Sequence, residues 1–267
     1  MMEKQRFFSL TGFYLWLGSV FGAVCLLPYV HALTPEKFDE AAEQFDLAIP
    51  MVIALSLIQS AVLLGFVTFS GLWAARKLGL GAPLLDAVLR GENPPYNLRL
   101  IARNAIVLGI AVALLIAVLD GMLTRLAEPN SFDSLFEQQP APWKGFLASF
   151  YGGIAEEVQI RLFVLSFIAL GLRAASRLFT RSYDFILPGW VFWTANFGAA
   201  ILFGLGHLPI TAELTALTPL IVIRAILLNG IFGLLAGFLY WRRGIEIAIL
   251  FHFSSDVMLH VFLPMLL

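Results

Sequence analysis

The chain has 267 residues, of which 60% are hydrophobic and 13% charged, where a soluble domain carries about 25% charged residues. Its mean hydropathy is +0.86, and a formal net charge of −1 gives no basic excess that would point to nucleic acid. The single cysteine, Cys25, excludes an internal disulfide. Apolar runs follow at Leu10–Tyr29, Ala48–Ala75, Ile101–Leu119, Gly145–Leu172, Phe185–Leu208, Leu217–Trp241 and Ile245–Leu267. Each is long enough for a helix to cross a hydrocarbon core, which takes about 20 residues. They run far beyond strand length, so the expected fold is all-α: a polytopic bundle of about seven transmembrane helices, eight at most.

The first run is too long for a signal-peptide core and is flanked by Lys4 and Arg6, so it reads as a retained anchor. The loop after it is acidic, with Glu36, Asp39, Glu40, Glu43 and Asp46 against Lys37. The loop after the second run is basic, with Arg76, Lys77, Arg90, Arg99 and Arg103, and Pro94 and Pro95 mark a turn at Gly91–Tyr96. The next holds Asp120, Glu128, Asp133 and Glu137 against Arg125 and Lys144. Within it, Ser131–Pro142 reads either as a short amphipathic surface piece or as an ordinary loop. Then come Arg173, Arg177 and Arg181, a loop with Glu213 and no base, and finally Arg242 and Arg243. The bias alternates at every crossing. Lys and Arg collect on the cytoplasmic side, which predicts a cytoplasmic N-terminus and an odd number of spans in the cell (inner or plasma) membrane. Trp16, Trp73, Trp143, Trp190 and Trp241 include several near run ends, where indole favours the interface.

A charge inside the hydrocarbon costs at least about 2.5 kcal/mol on insertion scales, so each one needs a reason. Such residues here are Glu156, Glu157, Arg161, His207, Arg224, His252 and Asp256, with His260 and Asn229 as weaker members. On an α-helix Glu157 and Arg161 lie only about 40° apart and can pair, whereas Glu156 lies about 140° from Arg161. That division assigns Glu157–Arg161 as an orienting ion pair and Glu156 as a reactive carboxylate, a candidate general base toward water. The alternative is a polar clasp that only holds helices together. Phe203 and His207 share a face, and Pro209 predicts that the fifth helix ends near His207. His252 and Asp256 also share a face; the carboxylate either orients the imidazole or joins it at a reacting centre. Arg224 reads as a counter-charge for one of the acids. Glu156, His207 and His252 make a conceivable zinc set, but no His-Glu-x-x-His is present, so metal is compatible and not demanded.

These three segments, in this order, resemble the CPBP family, the CAAX-protease and bacteriocin-processing (Abi) intramembrane proteases related to type II CAAX prenyl endopeptidases. The family's Glu-Glu-x-x-x-Arg is matched by Glu156, Glu157 and Arg161, its Phe-x-x-x-His by Phe203 and His207, and its His-x-x-x-Asn/Asp by His252 and Asp256. Gly233–Trp241 is similar as well. The resemblance covers about Trp143–Val257, which divides one integrated membrane domain into an N-terminal three-helix region, 1–142, and catalytic helices, 143–267. It implies that Glu156 and His207 activate water, and that His252 with Asp256 stabilises the oxyanion. Glu157, Arg161, Phe203 and Arg224 are then supporting residues. Ile160 and Leu162 replace the family's usual aromatic and glycine around the arginine, and Asp256 replaces its commoner asparagine.

The reading is therefore an intramembrane endopeptidase that hydrolyses a membrane-embedded or lipidated peptide or protein. A glutamate-type, cofactor-free mechanism is favoured over a zinc one. Its partners are the bilayer and that substrate, with no nucleic acid. The alternatives are a non-proteolytic scaffold of the same fold, serving bacteriocin immunity or envelope control, and a transporter. The absence of internal repeats weakens the latter.

Overall fold

The computed structural model describes residues 2–127, 140–180 and 188–266, and every regular element among them is helical. Seven helices are long and apolar enough to cross a membrane. In chain order the elements are α1 (Met2–Leu33), α2 (Pro35–Phe45), α3 (Ile49–Lys77), α4 (Pro83–Arg90) and α5 (Leu98–Ala127). The fourth span, α6, is Pro142–Ser176. Then follow α7 (Gly189–Gly206), α8 (Leu208–Leu214) and α9 (Pro219–Arg243). The last span, α10, is Ile245–Leu266. The chain is thus an integral membrane protein. The proposed amphipathic piece at Ser131–Pro142 lies outside the described residues as far as residue 139; Pro142 opens α6.

The spans exceed the apolar runs at most ends because a helix continues into the interface beyond the hydrocarbon it must cross. Arg76, Lys77, Arg242 and Arg243 are all in last helical turns. The helix ends with basic loops meet at one end of the bundle. There Arg173 donates to the Lys77 carbonyl at 3.0 Å, Tyr96 to the Arg243 carbonyl at 2.9 Å, and the Ile245 amide to Gly81 at 3.0 Å. At the opposite end Lys37 of α2 bridges Glu213 of α8 at 3.2 Å and Glu40 at 3.4 Å. These two carboxylates raise the pKa of the exposed ammonium.

Two packing features set the position of the site. The backbone of α3 lies directly on α6: a Cβ on Gly71 would meet the Leu162 oxygen and the Phe163 Cα, each at 2.9 Å. α10 comes equally close at Gly152, where a Cβ would collide with the Asp256 carboxylate. At Gly71 the neighbours are backbone atoms that cannot yield, so only hydrogen fits there; at Gly152 a methyl would have to displace the Asp256 side chain. Within α6 the turns also widen. Tyr151–Glu156 and Val158–Leu165 are π-helical, between α-helical Pro142–Phe150 and Ser166–Thr180. Such insertions are rare and occur mostly at functional sites.

Apolar side chains divide between a core and a lipid-facing surface. Leu72, Leu162, Leu165, Phe192 and Ile245 form one buried cluster, and Phe203, Phe232, Ile247 and Phe251 another. Leu55, Ile58, Val62 and Phe66 of α3 point outward, which in water would be a large exposed apolar patch.

Candidate active site

The centre is the Glu157 carboxylate, whose side chain is 0% exposed. One oxygen, Oε1, lies 2.9 Å from Arg161 Nη1 and 2.7 Å from His252 Nδ1. Arg161 is 1% exposed. Its Nη2 donates to the Gly233 carbonyl at 3.4 Å, and its guanidinium lies over the Phe203 ring at 4.7 Å. An arginine this deep is tolerable because a carboxylate, a carbonyl and an aromatic face share its charge.

His252 on α10 is held on several sides. Its ring meets Phe232 edge-on at 4.5 Å and Phe203 at 6.0 Å. With Nδ1 donating to Glu157, the other nitrogen, Nε2, lies 3.5 Å from Asp256 Oδ1 and 3.8 Å from Glu156 Oε2. Phe232 is near the midpoint of α9, so the cluster sits at mid-depth in the bundle. That explains how His207, predicted near one end of its helix, and His252, near the other end of its own, come to share a centre. α7 stops at Gly206, and α8 carries the chain seven residues further beyond His207.

Glu156 and His207 line one cavity of about 210 Å³, together with Tyr151, Gln159, Ile160 and Phe203. His207 Nδ1 is 2.8 Å from the Phe203 carbonyl. A carbonyl only accepts, so Nδ1 carries the hydrogen and Nε2 keeps a lone pair, the tautomer a general base needs. The Phe203 and His207 rings touch edge to face at 4.7 Å. Gln159 donates to the Tyr151 hydroxyl at 3.3 Å and to the Ala155 carbonyl at 3.2 Å, which places an amide and a phenol on the cavity wall.

The structure therefore gathers Glu156, Glu157, Arg161, Phe203, His207, His252 and Asp256 from α6, α10, α7 and the residue that caps α7, and leaves Arg224 out. Arg224 Nε is paired with Asp120 Oδ1 at 2.5 Å, which ties α9 to α5. The reading of Arg224 as a counter-charge to a site acid is corrected accordingly. The Glu157–Arg161 pair is present, and Glu157 has a further partner. Glu157 orients His252 as well as Arg161, and Asp256 lies on the other imidazole nitrogen. Here Glu156 closes one π-helical segment and Glu157 sits between the two, and their carboxylates lie 3.8 Å and 2.7 Å from the two nitrogens of His252.

Sequence reasoning passed over Gln159, Tyr151 and Tyr29. Gln159 lies inside the Glu-Glu-x-x-x-Arg run but carries no charge, so the cost of burial did not single it out. Tyr29 meets His260 Nδ1 at 3.3 Å, one helical turn beyond Asp256 on α10. Asn229 bonds its own helix at the Ala225 carbonyl.

Among the described residues no group of three or more His, Cys, Asp and Glu side chains has metal-holding geometry. Glu156, His207 and His252 form no such group. In both histidines Nδ1 faces a protein acceptor, which leaves Nε2 as the nitrogen a metal would need.

Residues 138–258 match the family model described as Type II CAAX prenyl endopeptidase Rce1-like. No curated protein and no solved structure matches the chain. The matched stretch carries every member of the cluster around Glu157, in the order the resemblance anticipated. The whole polar centre of this membrane protein thus falls inside the stretch, residues 138–258, that is similar to the Rce1-like type II CAAX prenyl endopeptidases, a family of proteases.

Proposed function

We propose that the chain is an intramembrane endopeptidase that cleaves a lipidated or membrane-embedded peptide with a water molecule activated by Glu156 and His207. The observation that carries this reading is that both line one cavity, with Glu156 3.8 Å from His252 Nε2. A water between them would lose a proton to the carboxylate or to His207 Nε2 as its oxygen attacks the scissile carbonyl. The proton then passes to the departing amine, and the new carboxylate and amine leave. An imidazolium at His252, oriented at Nδ1 by Glu157, would donate from Nε2 to the tetrahedral oxyanion. Asp256 assists if it carries a proton, because an ionised carboxylate repels an oxyanion. No step is routed through a metal. The remaining residues act at one remove: Arg161 fixes Glu157, and Phe203 supports both Arg161 and His207.

The family acts on prenylated membrane-associated proteins, so a prenylated carboxy-terminal peptide is the first substrate to test. The basic end of the bundle is assigned to the cytoplasm and the membrane to the cell membrane, following the distribution of Lys and Arg. The test uses the purified protein in liposomes with a farnesylated peptide and its unprenylated twin. Release of a carboxy-terminal fragment from the farnesylated peptide alone supports the reading. Equal cleavage of both removes lipid recognition from it. No cleavage of these or of a pool of membrane peptides favours the non-proteolytic scaffold.

A further inference from the structure

A second cavity, larger than the one beside Glu156, is remote from the cluster around Glu157. It has a volume of about 590 Å³ and lies at the basic end of the bundle, between the α3–α4 loop and the end of α9. Its chemistry is set by Arg76, Arg242 and Arg243, by Tyr96 and Trp241, and by one carboxylate, Asp86. Asp86 is already committed: Oδ1 takes Arg76 Nη2 at 2.6 Å and the Thr11 hydroxyl at 2.7 Å. Arg242 and Arg243 have no acidic partner among the described residues. Their guanidinium groups lie instead over aromatic rings, Arg242 over Trp241 at 5.7 Å and Arg243 over Tyr96 at 5.6 Å. Trp241 is fixed by stacking on Phe192 at 4.0 Å, and Tyr96 by its bond to the Arg243 backbone carbonyl. Two uncompensated cations thus face a concave space on rigid supports.

The surface beside the cavity identifies the occupant. Trp241 continues into Phe238, at 6.4 Å, and Trp193, at 6.5 Å, and these two stack on each other at 6.0 Å. Both are exposed on the sides of α7 and α9, which are membrane spans. A basic pocket therefore opens at the level of helix ends directly onto an apolar aromatic strip running along the membrane-spanning surface. Guanidinium groups match phosphate oxygens in geometry and charge. Basic pockets between transmembrane helices are a recognised form of anionic-lipid site.

We propose that this cavity binds the phosphodiester headgroup of an anionic phospholipid, with Arg242 and Arg243 on the phosphate and the acyl chains on Trp193 and Phe238. The site is independent of the peptidase reading and would be present in a scaffold of the same fold.

The test titrates purified protein in neutral detergent with phosphatidylglycerol brominated in its acyl chains, or with equally brominated phosphatidylcholine, and follows quenching of tryptophan fluorescence. Phosphatidylglycerol is expected to quench at about tenfold lower mole fraction. Arg242→Gln with Arg243→Gln should bring the two lipids level, while Arg99→Gln, an exposed arginine at the same end, should leave the difference intact. Replacing the Arg243 side chain leaves its carbonyl to hold Tyr96. If the double variant nonetheless unfolds, Arg242→Gln alone should narrow the gap. An unchanged preference in the folded variants would overturn the site. Displacement of the lipid by glycerol 3-phosphate or inorganic phosphate at equal concentration would overturn its assignment to a lipid.

Discussion

At Glu157 one carboxylate oxygen serves both a guanidinium and an imidazole, and neither carboxylate nor guanidinium reaches solvent. Removing one partner leaves the other buried and uncompensated, at a cost of about 3–5 kcal/mol. Glu157→Ala and Arg161→Ala are each expected to lower unfolding stability in detergent by about that much, whereas Arg224→Gln, with a more exposed side chain paired to Asp120, costs less. Asp256 makes the opposite case. If its role is to support His252 and the oxyanion, Asp256→Asn supplies a neutral donor in the same shape. Peptidase activity should stay within about tenfold of the parent, whereas Asp256→Ala should lose about 10²-fold, measured as initial rates on one substrate. Much of this was legible in the residues themselves, because buried charge is expensive wherever it occurs and the set of charged intramembrane side chains is short. The partners were less legible. Glu157 to His252 spans 95 positions, and no local spacing rule predicts a contact of that kind.

Among the elements, the spans could be read directly, since apolar length is what a bilayer demands. The end of α7 was also visible, because Pro209 in the first turn of α8 cannot continue the preceding helix. The amphipathic α2 and α4 were passed over, although α4 carries proline at its start and glycine just past its end, the usual asymmetry of helix termini. The π turns of α6, one of which ends at Glu156, had no sequence signal. The close approach of α3 to α6 gives a test at this scale. Gly71→Ala should destabilise the bundle by about 1–3 kcal/mol, because the new methyl meets backbone atoms that cannot yield. Gly171→Ala, with nothing within 4 Å, should leave stability unchanged or slightly raised. Thermal unfolding of the two variants in the same detergent separates these outcomes.

For the whole molecule, the alternation of charge along the sequence corresponds to a physical segregation, with the arginine-bearing loops meeting at one end and the Lys37–Glu213 bridge at the other. If the basic end is cytoplasmic, a single cysteine at Arg99 in a Cys25→Ser background reacts with a membrane-impermeant maleimide only in inside-out vesicles. One at Glu213 reacts only in right-side-out vesicles. The reverse pattern would invert the topology without touching the active-site argument. Catalysis in this reading depends on Glu156 and His207 working as a pair in the lining of one cavity. Its most direct measurement is the cleavage rate of a membrane peptide by folded wild type, Glu156→Gln, His207→Asn and the double variant in identical liposomes. Each single variant is expected to lose about 10²–10⁴-fold, and the double little more than either, because the two act on one water. Cleavage that survives both substitutions would contradict the account and move the chemistry elsewhere in the bundle.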